Sequence, residues 1–138
     1  VKNKDVLIGD AYFEKGQYAK AAMHYEQYLR VKKNAWVLER LSDCYLKLNL
    51  LGKAENVYIK IRKKYTFTPS QSVKYATLLV KNGKIHTARN ECSVWLKVAD
   101  SLSSLKLNYL LKVCDSILKW QEQSADYKVF NLKSINTE

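Results

Sequence analysis

The residues best suited to metal binding or to acid–base and thiol chemistry are two histidines and three cysteines: His24, His86, Cys44, Cys92 and Cys114. Structural zinc sites and redox-active thiol pairs require such residues at short, fixed spacings. The sequence contains no CxxC pair, no HExxH motif, no EF-hand loop and no glycine-rich phosphate-binding loop, and no pattern brings a serine, a histidine and an aspartate together. We therefore predict a protein that is not an enzyme and that binds neither a metal ion nor a cofactor.

The same residues fit a helical protein in which they have no chemical role. Each cysteine falls within an apolar helical stripe, where a free thiol behaves as a small buried hydrophobe. His24 and His86 fall on polar or helix-start positions, and we expect them to be isolated surface histidines. The three cysteines do not form a disulfide framework, and they do not decide the redox compartment.

The composition indicates one helical globular domain with an excess of positive charge. The chain has 138 residues, of which 47% are hydrophobic and 27% charged, and it contains only four glycines and one proline. The net charge of +11 comes mainly from lysine, which suits a solvated helix surface but could also attract an acidic partner, nucleic acid or an anionic membrane surface. No stretch approaches the roughly 20 apolar residues of a membrane span.

The sequence repeats itself with a period of 33 to 34 residues. Residues 9–12 match residues 42–45 at an offset of 33, and the same offset relates Ala21 to Ala54. An offset of 34 continues the series to Ala88. Such a period is typical of repeat proteins, in which each supersecondary unit buries its apolar face against its neighbour.

Each repeat reads as two helices separated by a tight turn. Gly16, Asn49 and Gly83 occupy the three turns, where a helix C-terminus favours a residue in the left-handed conformation. Residues 68–71 read as a capping box with proline at the first helical position, which marks the start of the third repeat. The predicted helix pairs cover roughly 3–14 and 18–31, 35–48 and 51–64, and 69–81 and 85–98.

Small residues recur where the two helices of a pair would have to approach closely. On the first helices they are Gly9, Ser42 and Ala76, and on the second helices they are alanines at the equivalent places. Larger side chains, Tyr12, Tyr45 and Leu79 on the first helices and Tyr25 and Tyr58 on the second, are expected to fill the space beside them.

This order of large and small residues resembles the tetratricopeptide repeat (TPR) pattern over residues 2–98. The resemblance implies an all-α fold, a right-handed superhelical stack of three TPR helix pairs plus a C-terminal capping helix. We expect a TPR domain over residues 1–121, with repeats at about 2–34, 35–67 and 68–100. The capping helix is predicted over 102–121, with Trp95 and Trp120 as anchors against the last repeat; the alternative is that its apolar stripe docks a partner helix.

In TPR proteins the first helices line the inner, concave surface, which implies a partner-binding groove along the first helices of this chain. Some TPR proteins hold a peptide carboxylate there with lysine and asparagine, whereas this sequence has Val6, Asp10 and Glu14 at such places, which argues against that clamp. Phe13, Trp36 and Leu46 are the candidate hydrophobic anchors, although burial of Phe13 and Trp36 between helices is an equal alternative. The groove positions are Val6, Asp10, Phe13, Glu14, Trp36, Glu39, Asp43, Leu46, Lys47, Val73, Thr77, Val80 and Lys81.

Residues 122–138 change pattern to a weak alternation, and we expect a linker leading toward a following strand and an absent domain. The chain begins at Val1, and we expect it to be a trimmed piece of a longer protein. Residues 114–120, 127–129 and 131–136 resemble the join between TPR and β-propeller segments in Bacteroidetes envelope proteins that also carry an OmpA-like domain, such as the PorE-type lipoprotein of the type IX secretion system.

That second resemblance implies a periplasmic, outer-membrane-associated interaction module, which scaffolds a secretion or envelope assembly by binding a protein or peptide partner. Peptidoglycan would be bound only through the absent domain. Two alternatives remain open. A basic strip formed by Arg30, Lys32, Lys33 and residues 60–64 supports nucleic-acid binding, although it lacks interleaved exposed aromatic residues. The second alternative is a chaperone that binds secreted substrates in its groove.

Overall fold

The structure, a computed structural model, describes the backbone of residues 3–136 and the side chains of residues 3–129, 132 and 133. Over this range the chain forms seven α-helices and no strand, which confirms the predicted all-α fold. The helices are α1 (Lys4–Glu14), α2 (Tyr18–Val31), α3 (Ala35–Lys47), α4 (Leu51–Lys64), α5 (Pro69–Lys81), α6 (Ile85–Trp95) and α7 (Ser101–Asn136).

The three predicted turns share one hydrogen-bonded geometry. Gly16, Asn49 and Gly83 have positive φ angles of 74°, 58° and 79°. Each donates its N–H to the carbonyl three residues earlier, and the next residue donates to the carbonyl five residues earlier, at 2.8–3.1 Å. These bonds satisfy carbonyls that the helix end would otherwise leave unpaired. The predicted left-handed positions are confirmed.

Side-chain caps fix where several helices begin. The side-chain carbonyls of Asn3 and Asn34 accept backbone N–H groups at the starts of α1 and α3. At the start of α5, the Thr68 N–H donates to Gln71 Oε1 at 3.0 Å and the Gln71 N–H donates to Thr68 Oγ1 at 3.2 Å, which confirms the capping box. Asp100 Oδ1 accepts the Ser103 N–H at the start of α7.

The chain divides into two compact units, Val1–Gln71 and Ser72–Glu138. In the first unit, α1 packs on α2, α3 packs on α4, and α2 packs on α3. A Cβ added to Gly9 would lie 2.8 Å from the ring of Tyr25, and the Ser42 hydroxyl donates to the Ala54 carbonyl at 3.4 Å. In this unit, Gly9 and Ser42 therefore lie directly against the second helix of their pair.

The second unit contains a core in which α5, α6 and α7 meet. Ala76, Cys92, Leu107 and Leu110 form this buried cluster, and the half-buried Trp95 packs against it. Arg89 of α6 donates a charge-assisted hydrogen bond to Asp115 of α7. The first half of α7 thus covers the apolar face of α6.

The second half of α7 differs from the prediction. The capping helix is predicted to end at residue 121, with a linker toward a following strand after it, but the helix continues to Asn136. The prediction was wrong because residues 101–136 contain no glycine and no proline that would stop a helix. Trp120, predicted as an anchor, is 66% exposed. No helix within the described residues has both the length and the apolar character needed to cross a membrane.

All three cysteines are buried as free thiols, as the helical pattern predicted. Burial is the main cause that raises the pKa of Cys44 and the pKa of Cys92 to about 12 each, and it raises the pKa of Cys114 as well. The thiols therefore stay protonated at neutral pH.

The two helical glycines without left-handed geometry give a direct test of close helix packing. Gly9→Ala places a methyl group against the buried Tyr25 ring, and we expect it to lower the free energy of unfolding by about 1–3 kcal/mol. Gly52→Ala in α4 meets nothing within 4 Å, and we expect it to raise that free energy by about 0.5–1 kcal/mol. Urea unfolding followed by circular dichroism measures both, and a stabilising Gly9→Ala would contradict the packing described.

Candidate functional site

The candidate site is the surface shared by α1 and α3 within the first unit, here called the α1–α3 face. Its α1 side chains are Asp10, Phe13 and Glu14, and its α3 side chains include Trp36 and Asp43. Residues three and four apart on a helix share one side of it, so each set forms one stripe. Contacts between the stripes show that α1 and α3 lie next to each other.

Arg40 is the centre of this face. Its guanidinium lies 3.7 Å from the centroid of the Phe13 ring and 5.4 Å from that of the Trp36 ring. Its Nη2 donates to Glu14 Oε1 at 3.4 Å. A cation held over aromatic rings and paired with a carboxylate fixes the positions of all three partners.

A buried hydrogen bond ties the α1–α3 face to the core of the first unit. Tyr25 of α2 is fully buried, and its hydroxyl donates to Asp10 Oδ1 at 2.6 Å. Burial is the largest cause that raises the pKa of Tyr25 above its usual value, and the hydrogen bond to Asp10 is the second. Burial alone would lower the pKa of Arg40, but hydrogen bonding to Tyr25 and the Asp10 charge raise it overall. Tyr25 therefore holds Asp10 by a hydrogen bond, and both groups favour the charged form of Arg40.

Sequence reasoning missed Arg40. It was absent from the predicted groove positions, although it lies four residues after Trp36 and three before Asp43 and so shares their side of α3. The helical register could have found it. What the register could not supply is its position between two aromatic rings, one of which belongs to a different repeat.

The predicted groove positions in the first unit fall into two groups. Val6 is 5% exposed and belongs to the core, so its prediction as an outward-facing residue was wrong, because the side of α1 that carries it is covered by neighbouring helices. Trp36 is 45% exposed, which decides against burial for that ring, and Phe13 is half-buried. Of the others, Asp10, Glu39, Asp43 and Leu46 are half-buried and Glu14 and Lys47 are exposed.

The charge of the α1–α3 face is predominantly acidic. Four carboxylates, those of Asp10, Glu14, Glu39 and Asp43, accompany two cations, Arg40 and Lys47. The Glu39 carboxylate also accepts a hydrogen bond from the Gln71 side chain at 3.4 Å. An apolar ring set among carboxylates can contact an apolar side chain and attract cationic groups beside it.

The predicted positions on α5 lie in the second unit. Val73 packs against the core cluster of that unit rather than standing free, and the Thr77 hydroxyl donates to the Val73 carbonyl at 2.8 Å. Val80 is half-buried and Lys81 is exposed. Val73 is thus half-buried at the edge of the core cluster of its own unit.

The histidines differ from each other. His86 is exposed, as predicted. His24 is not an isolated surface residue, because its ring stacks on Tyr12 with centroids 5.7 Å apart and its Nδ1 lies 3.3 Å from Asp5 Oδ1. Across the described residues, no group of three or more His, Cys, Asp or Glu side chains could hold a metal ion.

Several solved structures share this arrangement of helices. The second TPR domain of human RPAP3, in complex with the HSP70 peptide SGPTIEEVD, matches with a TM-score of 0.63 and 18% identity, over 77% of this chain and 94% of that domain. The TPR2B domain of yeast Sti1, in a pHsp70 complex, matches with a TM-score of 0.66 and 18% identity, over 82% of this chain and 94% of that one.

MamA matches with a TM-score of 0.71 and 19% identity, over 80% of this chain and 64% of that chain, so this chain spans just under two thirds of its length. The sequence matches no protein-family profile. No curated protein matches it either. The structural likenesses show that the chain has the TPR fold, which confirms that part of the sequence prediction.

The buried tyrosines and the Cys44 thiol of the first unit predict loss of stability at alkaline pH. Burial is the first cause that raises the pKa values of Tyr25, Tyr45, Tyr58 and Cys44 above their usual values. The folded chain keeps these protons while the unfolded chain releases them. Stability is therefore complete below pH about 9 and falls as the pH rises toward 12.

Urea unfolding at several pH values between neutral and strongly alkaline checks this expectation. Tyr25→Phe is the control variant, since it removes one titrating hydroxyl and should lose stability less steeply with pH. A free energy of unfolding that stays constant across the alkaline range would contradict the assignment.

Proposed function

We propose that this chain is a non-catalytic protein-interaction module that binds a segment of a partner protein on the α1–α3 face. The observation that carries the proposal is Trp36, a large ring that is 45% exposed on a surface otherwise ordered by Arg40, Phe13 and Glu14. Exposed aromatic side chains held rigid by their neighbours are typical hot spots of protein interfaces. The TPR fold of domains solved with bound peptides supports the same function.

The charges of the α1–α3 face favour a partner segment with an apolar side chain flanked by basic residues. The apolar side chain would contact Trp36 and Phe13, and the basic residues would lie near Glu14 and Asp43. The peptide bound by RPAP3, SGPTIEEVD, carries several carboxylates instead. Like charges placed opposite each other disfavour binding, so such a peptide does not suit this face.

Peptide binding to the full chain tests the proposal. A short peptide with one phenylalanine among lysines and arginines should bind, and Trp36→Ala should weaken it at least about tenfold. Met23→Ala, which truncates a side chain that is 50% exposed on α2, is the matched control and should leave the affinity unchanged. Fluorescence anisotropy measures both. Equal loss in the two variants, or tight binding of SGPTIEEVD that depends on Trp36, would overturn the proposal.

We further propose that the module belongs to a periplasmic, outer-membrane-associated protein and scaffolds a secretion or envelope assembly. The support is the motif resemblance of residues 114–120, 127–129 and 131–136 to the PorE-type envelope proteins. Those residues lie on α7, so the proposed connection to a following domain would run through a helix rather than an extended linker. Peptidoglycan binding would still belong to a separate domain.

Site-specific photocrosslinking in intact cells tests this location. A photoreactive residue in place of Trp36 should capture a partner that fractionates with the outer membrane, whereas the same residue in place of Met23 should not capture it. Recovery of the protein and its crosslinks from the cytoplasm alone would refute the envelope assignment and leave the binding face unaffected.

A further inference from the structure

A second concave surface lies in the first unit, between α2 and α4. It is an open groove of about 510 Å³, here called the α2–α4 groove, and none of the predicted groove positions lines it. The three side chains of α3 that line it, those of Leu38, Leu41 and Tyr45, are all buried, so α3 forms much of the floor. The groove is thus built by different helix faces from those of the α1–α3 face.

The floor of the α2–α4 groove is apolar. Leu38, Leu41 and Val57 line it and are each less than about a tenth exposed, and Leu29 is half-buried at its edge. One carboxylate, that of Glu26, lines the groove, and it accepts a hydrogen bond from the Tyr45 hydroxyl. The Glu26 carboxylate is therefore already hydrogen-bonded to Tyr45, a residue of the floor.

The rim of the α2–α4 groove is strongly cationic. Six exposed basic side chains surround the floor, and within residues 3–136 none of them pairs with a carboxylate: Arg30, Lys32, Lys33, Lys53, Lys60 and Lys64. These ammonium groups repel one another: that of Lys33, and to a smaller extent that of Lys60, lowers the pKa of Lys64 from its usual value. A carboxylate placed among these ammonium groups would relieve their mutual repulsion.

The chemistry of the groove favours a polypeptide over a nucleic acid. Single-stranded nucleic acids need exposed aromatic rings on which bases stack, whereas Tyr45 is 8% exposed and Tyr65 is half-buried. Five of the six rim cations are lysines, which lack the planar fork that recognises phosphates and base edges. An apolar floor of this size fits one or two aliphatic or aromatic side chains, which a sugar–phosphate backbone does not supply.

We propose that the α2–α4 groove binds an acidic segment of a partner protein, with one aliphatic or aromatic side chain of that segment on the apolar floor and the flanking carboxylates against the lysine rim. This site does not depend on the α1–α3 face, and the two surfaces carry opposite charge. The chain therefore has two binding surfaces with opposite preferences for peptide charge.

Fluorescence anisotropy with the full chain tests the proposal. The probe is a labelled synthetic peptide in which one leucine is flanked on both sides by glutamates and aspartates. It should bind at low salt, and Lys60→Glu should weaken the binding by about tenfold or more. Lys63→Glu makes the same charge change on α4 at an exposed position outside the groove and should change the affinity less than about twofold.

Two further measurements separate this site from general charge attraction. Replacing the leucine of the peptide by serine should weaken binding by about fivefold or more, because the floor then loses its apolar contact. Trp36→Ala, which tests the α1–α3 face, should leave binding of the acidic peptide unchanged. A result in which Trp36→Ala and Lys60→Glu affect the same peptide equally would overturn the assignment of two independent surfaces.

If the α2–α4 groove binds a different ligand, these experiments give a different result. Tighter binding of a single-stranded oligonucleotide that displaces the peptide would assign the groove to nucleic acid. Self-association of the chain in light scattering, abolished by Lys60→Glu, would assign it to a second copy. Equal binding of the leucine and serine peptides, or no binding at low salt, would overturn the proposal outright. Circular dichroism confirms that each variant is folded.

Discussion

Close contact between the two helices of a pair is the constraint on which the rest of the first unit depends. Gly9 lies against the Tyr25 ring, and that contact leaves the tyrosine hydroxyl in position to hold Asp10. Asp10 and Tyr25 in turn stabilise the charge of Arg40, which orders Phe13 on the neighbouring repeat. The absence of a side chain at Gly9 on α1 thus influences the geometry of the surface that α1 forms with α3.

Local sequence chemistry accounts for what could be predicted. The left-handed turns and the capping box depend on residues within five positions of each other, so a single chain read in order is enough to find them. The small residues of each helix pair could be found because the repeat aligns them. The all-α fold and the burial of the cysteines followed from the same periodicity.

What escaped prediction depends on neighbours distant in sequence. Val6 has the helical register of an outer position but is buried, and Val73 is half-buried against the core cluster of the second unit. His24 of α2 contacts Asp5 and Arg40 of α3 contacts Phe13, and both of these partners lie on α1. The end of α7 differs for a local reason: the weak alternation at Tyr127 and Val129 predicts a linker, but no glycine or proline interrupts the helix there.

The buried thiols provide a means of following each unit separately. Cys44 lies in the core of the first unit, and Cys92 and Cys114 lie in that of the second. A protonated, buried thiol reacts with alkylating reagents only when its surroundings open and the thiolate forms. The alkylation rate of each cysteine therefore reports how often its own unit opens, without any introduced mutation, and mass spectrometry can distinguish the two units in a single sample.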